Sequence, residues 1–208
     1  MTPAVSTGLD GNPPDAPRVV LASASPRRSE LLTQLGLSFV VMPTDIDETE
    51  RPGEDPVSYV HRLAIEKALA ADVGDDVVVI AADTTVDVDG VILAKPVDDV
   101  DARRMLRLLS GRTHHVHTGI AVRHMGRVVS GVDTTLVQMV TLDESVLSWY
   151  LSTGEPYGKA GAYAIQGAAA LLIEGVQGSV TNVIGLPLTL LDELLATSGV
   201  SLLRLLTP

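Results

Sequence analysis

The sequence predicts an α/β fold built around a mixed β-sheet, and three observations carry that prediction. Hydrophobic residues make up 46% of the 208 positions and aromatics only 3%, so the core must be assembled from Val, Leu, Ile and Ala. Such a core suits buried strands covered by Leu- and Ala-rich helices, as in α/β and α+β proteins. Near the start lies a strand–tight turn–helix unit. Further on, hairpin patterns are inserted between βα-like units, which makes the sheet mixed rather than purely parallel.

Residues 1–17, rich in Pro, Gly, Asp and Asn, read as a disordered tail, and 18–208 as one domain. From Val19 to Ala22 a short apolar run reads as a buried strand. Ser25 is a good N-cap, Pro26 a good first helical residue, and Gly36 a natural stop after Leu31, Leu32 and Leu35 at helical spacing. Phe39–Met42 is extended and leads into the acidic stretch Thr44–Thr49. A helix over Pro56–Ala71 follows, with Tyr59, Leu63 and Leu69 expected inward.

Val77–Ala82 reads as a buried strand ending at Asp83. Asp89-Gly90 signals a hairpin joining Thr85–Val88 to Val91–Ala94. Asp98–Leu109 is an amphipathic helix stopped by Ser110-Gly111. Thr113–Arg123 and Arg127–Val140 pair as a hairpin turning at Met125-Gly126. A helix near Glu144–Leu151, a Gly-rich segment from Gly154 to Gly178 and a Leu-rich helix over Pro187–Ala196 complete the order.

The formal net charge of −11 argues against a nucleic-acid-coating role, because phosphate binding needs basic surface. There is no cysteine, which removes disulfides and thiol chemistry. No run approaches the ~20 apolar residues of a membrane span, and the start lacks the basic patch and apolar stretch of a signal peptide. The expectation is a cytoplasmic protein with no nucleic-acid or membrane partner.

The turn Ser23-Ala24-Ser25-Pro26-Arg27-Arg28 is the most telling feature. A helix N-terminus carries partial positive charge, so stability favours acids there. Two arginines break that rule in the direction that builds an anion pocket. Surface arginines pairing with distant acids remain the competing reading. Asp83, at the close of an apolar strand, suits metal binding or proton abstraction from water, or else a simple strand-end turn. Asp45 and Asp47 could supply further metal ligands but read rather as a solvated acidic loop, and for Glu48 spacing alone does not separate the two readings.

Lys67 and Lys95 stand out because the chain has only three lysines, Lys159 being the third. Each can act as a point charge on phosphate, although exposed lysines are commonly just solvated. His115 and His117 share a strand face, as zinc ligands do, but no acid with suitable spacing lies beside them in sequence. With His114 they are read as non-catalytic. Gln166, in a Gly-rich run, offers an amide for a base edge, and a packing turn explains that run equally well.

Taken together, these segments resemble the Maf family. The matching pieces are Leu21 to Arg28, Thr44 to Glu48, Arg62-Leu63-Ala64 with Glu66-Lys67-Ala68, Ala82-Asp83-Thr84 and Lys95-Pro96. Leu109-Ser110-Gly111, Ala160 to Tyr163 with Ile165-Gln166-Gly167, and Gly185 to Leu188 continue the series in order. The resemblance implies an elongated single domain with a central mixed sheet flanked by helices and a deep cleft, similar to inosine-triphosphate pyrophosphatases. It implies hydrolysis of a nucleoside triphosphate between the α- and β-phosphates, assisted by a divalent cation, Mg²⁺ or Mn²⁺.

By the same resemblance Asp83 is the catalytic base, with Lys95 and Glu48 beside it and Glu48 and Asp83 holding the metal. Ser25, Arg27, Arg28, Lys67 and Gln166 bind substrate, and a homodimer is the family-based expectation. The motif variants look like the branch acting on dTTP and UTP. Ala81-Ala82 before Asp83, and Ala164, depart from the family pattern and leave base preference open. A nucleotide-binding regulator of septum formation without turnover, and a house-cleaning enzyme of inosine-triphosphate type, are the alternatives.

Overall fold

The computed structural model describes residues 18–206; the expected tail over residues 1–17 lies outside them. Seven strands, β1 (Val19–Leu21), β2 (Val40–Val41), β3 (Val78–Val88), β4 (Val91–Leu93), β5 (Thr113–His124), β6 (Arg127–Met139) and β7 (Ile173–Gln177), form one sheet. The order is β2-β1-β3-β5-β6-β7, with β4 also paired to β3. The β1–β2 and β1–β3 pairs are parallel and the others antiparallel, so the sheet is mixed. The helices are α1 (Pro26–Gln34), α2 (Pro56–Ala70), α3 (Asp99–Leu109), α4 (Glu144–Ser152), α5 (Val180–Ile184), α6 (Leu188–Thr197) and α7 (Leu202–Leu205).

Alternation along β3 divides the core. Val78, Ile80 and Ala82 face Leu31, Leu32, Leu191 and Leu195 from α1 and α6. Val86 and Val88, farther along that face, pack with Leu106 and Leu109 of α3 and Leu147 of α4. On the opposite face, Val79 and Ala81 lie under Ala64 and Ala68 of α2. The two clusters on the first face are separate, and the cleft opens between them. Small residues let α2 sit close to the sheet: a Cβ on Gly119 of β5 would lie 2.3 Å from the Val60 carbonyl oxygen.

Three expectations are corrected. β3 does not end at Asp83 but runs through it to Val88, because β5 pairs with it continuously from Val79 to Asp87. The hairpin at Asp89-Gly90 is therefore the tip of one long strand. Leu69 is 57% exposed, since the buried stripe of α2 is Val60, Leu63, Ala64, Lys67 and Ala68, and Leu69 turns off it. Tyr59 is half-buried but faces the acidic loop, donating its hydroxyl to the Glu48 carbonyl at 2.9 Å. Ser25 occupies the N-cap of α1 and Pro26 opens the helix, as expected, with no side-chain capping hydrogen bond from Ser25. Among the described residues, no helix is long and apolar enough to cross a membrane.

Candidate active site

On the edge of β3 away from β5, β1 pairs as far as Ile80 and the pairing with β4 begins at Val86. Between them the chain after β1 leaves the sheet to enter α1. The resulting crevice lies at the carboxyl end of a parallel strand, where open α/β sheets place their ligands. A cavity of ≈ 280 Å³ occupies it. Ser25, Arg27, Arg28, Glu48, Lys67, Asp83, Lys95 and Gln166 all line this one cavity. Asp45 and Asp47, weighed with Glu48 as further acids, do not; Asp47 instead accepts from the Thr49 N–H at 2.9 Å.

Lys67 is the hub of the acidic wall. Its Nζ lies 2.6 Å from Asp83 Oδ1 and 2.5 Å from Glu48 Oε1. Lys67 and Asp83 are 8% and 9% exposed, so this pair is shielded from water, whereas the Glu48 side chain remains half open. Burial pushes the Glu48 carboxyl up, but hydrogen bonding and charge from Lys67 win and hold it below the usual carboxylate range. The loop carrying Glu48 is fastened to α2 by Arg62, whose Nε and Nη2 donate to the two Glu54 oxygens at 2.6 and 2.7 Å. Arg62 Nη2 also donates to the Thr49 carbonyl at 3.2 Å.

Arg28 is the hub of the other wall. Its Nε donates to the Gly185 carbonyl at 2.7 Å, Nη1 to Ser23 Oγ at 2.8 Å and Nη2 to Thr84 Oγ1 at 2.9 Å. Gly185 follows α5 in the left-handed region at φ 118°, where glycine is the natural residue. Burial pulls the Arg28 guanidinium below its ordinary value, opposed by the charge of Asp83. Arg27 is pulled the same way, again first by burial. Lys159 also lines the cavity and is lowered by burial and by the charge of Arg27.

The cavity therefore presents five cationic side chains, Arg27, Arg28, Lys67, Lys95 and Lys159, against two carboxylates. In a chain of net charge −11 that concentration selects a polyanion. The remaining lining includes apolar side chains, Val86, Val116, Ile165, Val183 and Ile184, with Tyr163, suited to a flat ring. Gln166 is exposed at this part of the lining.

Sequence reasoning missed Ser23, Thr84 and Gly185 as the partners of Arg28, and Arg62 with Glu54 as the clamp on the acidic loop. Arg62 stands in a matched motif and was given no role there. Ser23, Thr84 and Gly185 also stand in matched segments, but only the fold brings all three to Arg28; Glu54 has no local mark. None of the three histidines lines the cavity, but β3 brings Asp87 beside His115 and His117, and the ligand atoms of these three residues lie within 4.8 Å of one another. His114 points elsewhere, its Nε2 2.7 Å from the Tyr163 hydroxyl.

These observations agree with comparison to known proteins. A protein named dTTP/UTP pyrophosphatase from Bordetella parapertussis is 48% identical over 197 residues, covering 90% of this chain and 95% of that protein. One of the same name from Anaeromyxobacter dehalogenans is 52% identical over 188 residues, covering 88% and 95%. A solved HAM1 protein from Coxiella burnetii aligns over 59% of this chain and 72% of its own, with 20% identity and a TM-score of 0.41, a likeness too distant to carry an argument. The family described as Maf-like protein matches residues 18–198, and with that span and those identities the chain belongs to the Maf family.

Proposed function

We propose that this chain is a nucleoside-triphosphate pyrophosphatase with dTTP and UTP as its substrates, releasing the monophosphate and pyrophosphate. The observation that carries the reading is the single cavity in which five cations face a lysine-bridged pair of carboxylates. The substrate assignment rests on the names of the relatives at 46–52% identity.

Arg27, Lys95 and the Ser25 turn bind the phosphate chain, with Arg28 adding charge from a fixed position behind them. Lys67 holds Asp83 and Glu48 in place. Asp83 takes a proton from water, whose oxygen bonds to phosphorus as the bridge between the α- and β-phosphates breaks. The bonding electrons leave with pyrophosphate. Gln166 and the apolar lining hold the base.

The donor set fits a divalent cation. Two carboxylates converge from β3 and the acidic loop, and Asp83 Oδ2 and Glu48 Oε2 take no hydrogen bond or ion pair among the described residues. Mg²⁺ takes one or two carboxylates and completes its shell with water and phosphate oxygens. Glu48 and Asp83 would hold Mg²⁺ or Mn²⁺, which when bound neutralises charge on the reacting phosphates.

The test is pyrophosphate release from a panel of NTPs and dNTPs with Mg²⁺, Mn²⁺ or chelator. Turnover led by dTTP and UTP, and abolished by chelator, is the expected result. Binding without turnover of any nucleotide would replace the enzyme by a nucleotide-sensing regulator, and preference for inosine triphosphate would overturn the base assignment.

A further inference from the structure

The pairing of β3 with β5 builds a second cluster that the proposed reaction does not use. Asp87 lies directly opposite His115, and Thr85 opposite His117, so side chains two residues apart on β5 converge on Asp87 from one face of the sheet. His117 Nε2 is 2.9 Å and His115 Nδ1 3.2 Å from the same oxygen, Asp87 Oδ1. The two imidazoles are stacked 15° from parallel. We propose that Asp87, His115 and His117 form a second metal site, separate from the cleft, for a borderline d-block dication, with Zn²⁺ as the reference ion.

Donor chemistry selects the ion. Two imidazoles and one carboxylate suit Zn²⁺, Co²⁺ or Ni²⁺, whereas Mg²⁺ prefers oxygen alone. The spacing matches as well: bonds of about 2.0–2.1 Å in a tetrahedron put ligand atoms roughly 3.3 Å apart, close to the two separations observed. Three protein ligands leave the fourth position for water.

Surrounding groups already orient the ligands. His117 Nδ1 lies 2.8 Å from Thr134 Oγ1, and Asp87 Oδ2 accepts from the Gly90 N–H at 2.9 Å. In the tautomer whose Nδ1–H donates to Thr134, Nε2 would present its lone pair to a carboxylate oxygen, an arrangement that a bridging cation satisfies. Asp87 and His117 are buried on neighbouring strands, while the His115 side chain is 47% exposed and provides the entry path. Asp87 stands four residues beyond Asp83, roughly 13 Å along the strand, too far for one ion to serve both.

The test uses the full chain without an affinity tag, stripped with chelator and kept in excess Mg²⁺ so that the cleft carboxylates are occupied. Zn²⁺ is titrated by calorimetry, and Co²⁺ is followed by its visible bands, which are intense only for four-coordinate metal. One equivalent should bind wild type and raise its melting temperature. His115→Ala and His117→Ala should each weaken binding roughly tenfold or more, and Thr134→Val by a smaller factor. His115 is exposed, so its variant should keep the metal-free melting temperature and decides the matter even if His117→Ala misfolds. No Zn²⁺ binding by wild type, or equal binding by wild type and His115→Ala, overturns the site and leaves an Asp–His hydrogen-bond cluster. Nothing in this test depends on pyrophosphatase activity.

Discussion

Lys67 Nζ approaches Asp83 Oδ1 to 2.6 Å, and both side chains are nearly sealed from solvent. An ammonium reaching from a helix to a carboxylate in mid-strand fixes that carboxylate far more tightly than its own side-chain torsions would. Breaking one partner of a buried pair typically costs 3–5 kcal/mol, and the half-exposed Glu48 puts Lys67→Met near the lower end, about 3 kcal/mol. We expect that variant to lose stability by about this amount and to lose most of its turnover, measured by denaturant melts and pyrophosphate release. Asp83→Asn should abolish turnover while keeping nucleotide binding and fold; unchanged turnover would remove Asp83 from the chemistry.

The clamp on the acidic loop predicts a pH dependence. Two Arg62 hydrogen bonds hold the Glu54 carboxyl down to about 2, from an ordinary 4.5. A carboxyl depressed in the folded state stabilises fully above its unfolded value and loses that contribution as pH falls toward the folded one. The clamp should therefore weaken between about pH 4.5 and 2. Melting temperatures of wild type should fall across that window more steeply than those of Glu54→Gln, and parallel curves would remove Glu54 from the ledger. At neutral pH the same variant should have lower kcat, because Glu48 rides on the loop that Arg62 fastens.

Part of the candidate site was legible in the sequence because some of its residues violate local expectation, while roles for Asp83, Glu48 and Gln166 came from the resemblance to the Maf family. Arg27 and Arg28 stand where a helix start disfavours cations, and the chain spends all three of its lysines on one cavity. What stayed hidden depends on pairing between distant segments. Only the continuous β3–β5 register places Asp83 and Asp87 on one face of a single strand and brings Asp87 to His115. The end of β3 was misplaced for the same reason: Asp83 interrupts an apolar run, and only continuous pairing with β5 shows that the strand goes on. β7 was missed because its sequence, Ile173-Glu174-Gly175-Val176-Gln177, has one glycine and no sustained apolar run.

Arg28→Lys separates charge from geometry. Lysine keeps the positive charge but cannot reach Gly185, Ser23 and Thr84 together, as the planar guanidinium does. Hydrogen bonds from charged donors contribute about 1.5–3 kcal/mol each, and some of the three will be replaced by water. A loss of about 2–4 kcal/mol is expected, with a rise in KM as the wall behind the phosphates loosens. A stable variant with unchanged KM would mean that only the charge matters.

Gly119 tests whether the position of α2 controls the chemistry from a distance. A methyl group there meets the Val60 carbonyl oxygen at 2.3 Å and the His61 nitrogen at 3.0 Å, both backbone atoms that no rotamer change can move away. The helix has to shift, and Lys67 shifts with it. Overpacking of this kind costs about 1–3 kcal/mol, and backbone against backbone puts Gly119→Ala near 3 kcal/mol. Turnover should fall well beyond the unfolded fraction at the assay temperature, since displacement of Lys67 loosens Asp83 and Glu48 in molecules that remain folded. If activity instead tracks the folded fraction alone, the Lys67 bridge tolerates movement of its helix and the cleft is less exacting than its geometry implies.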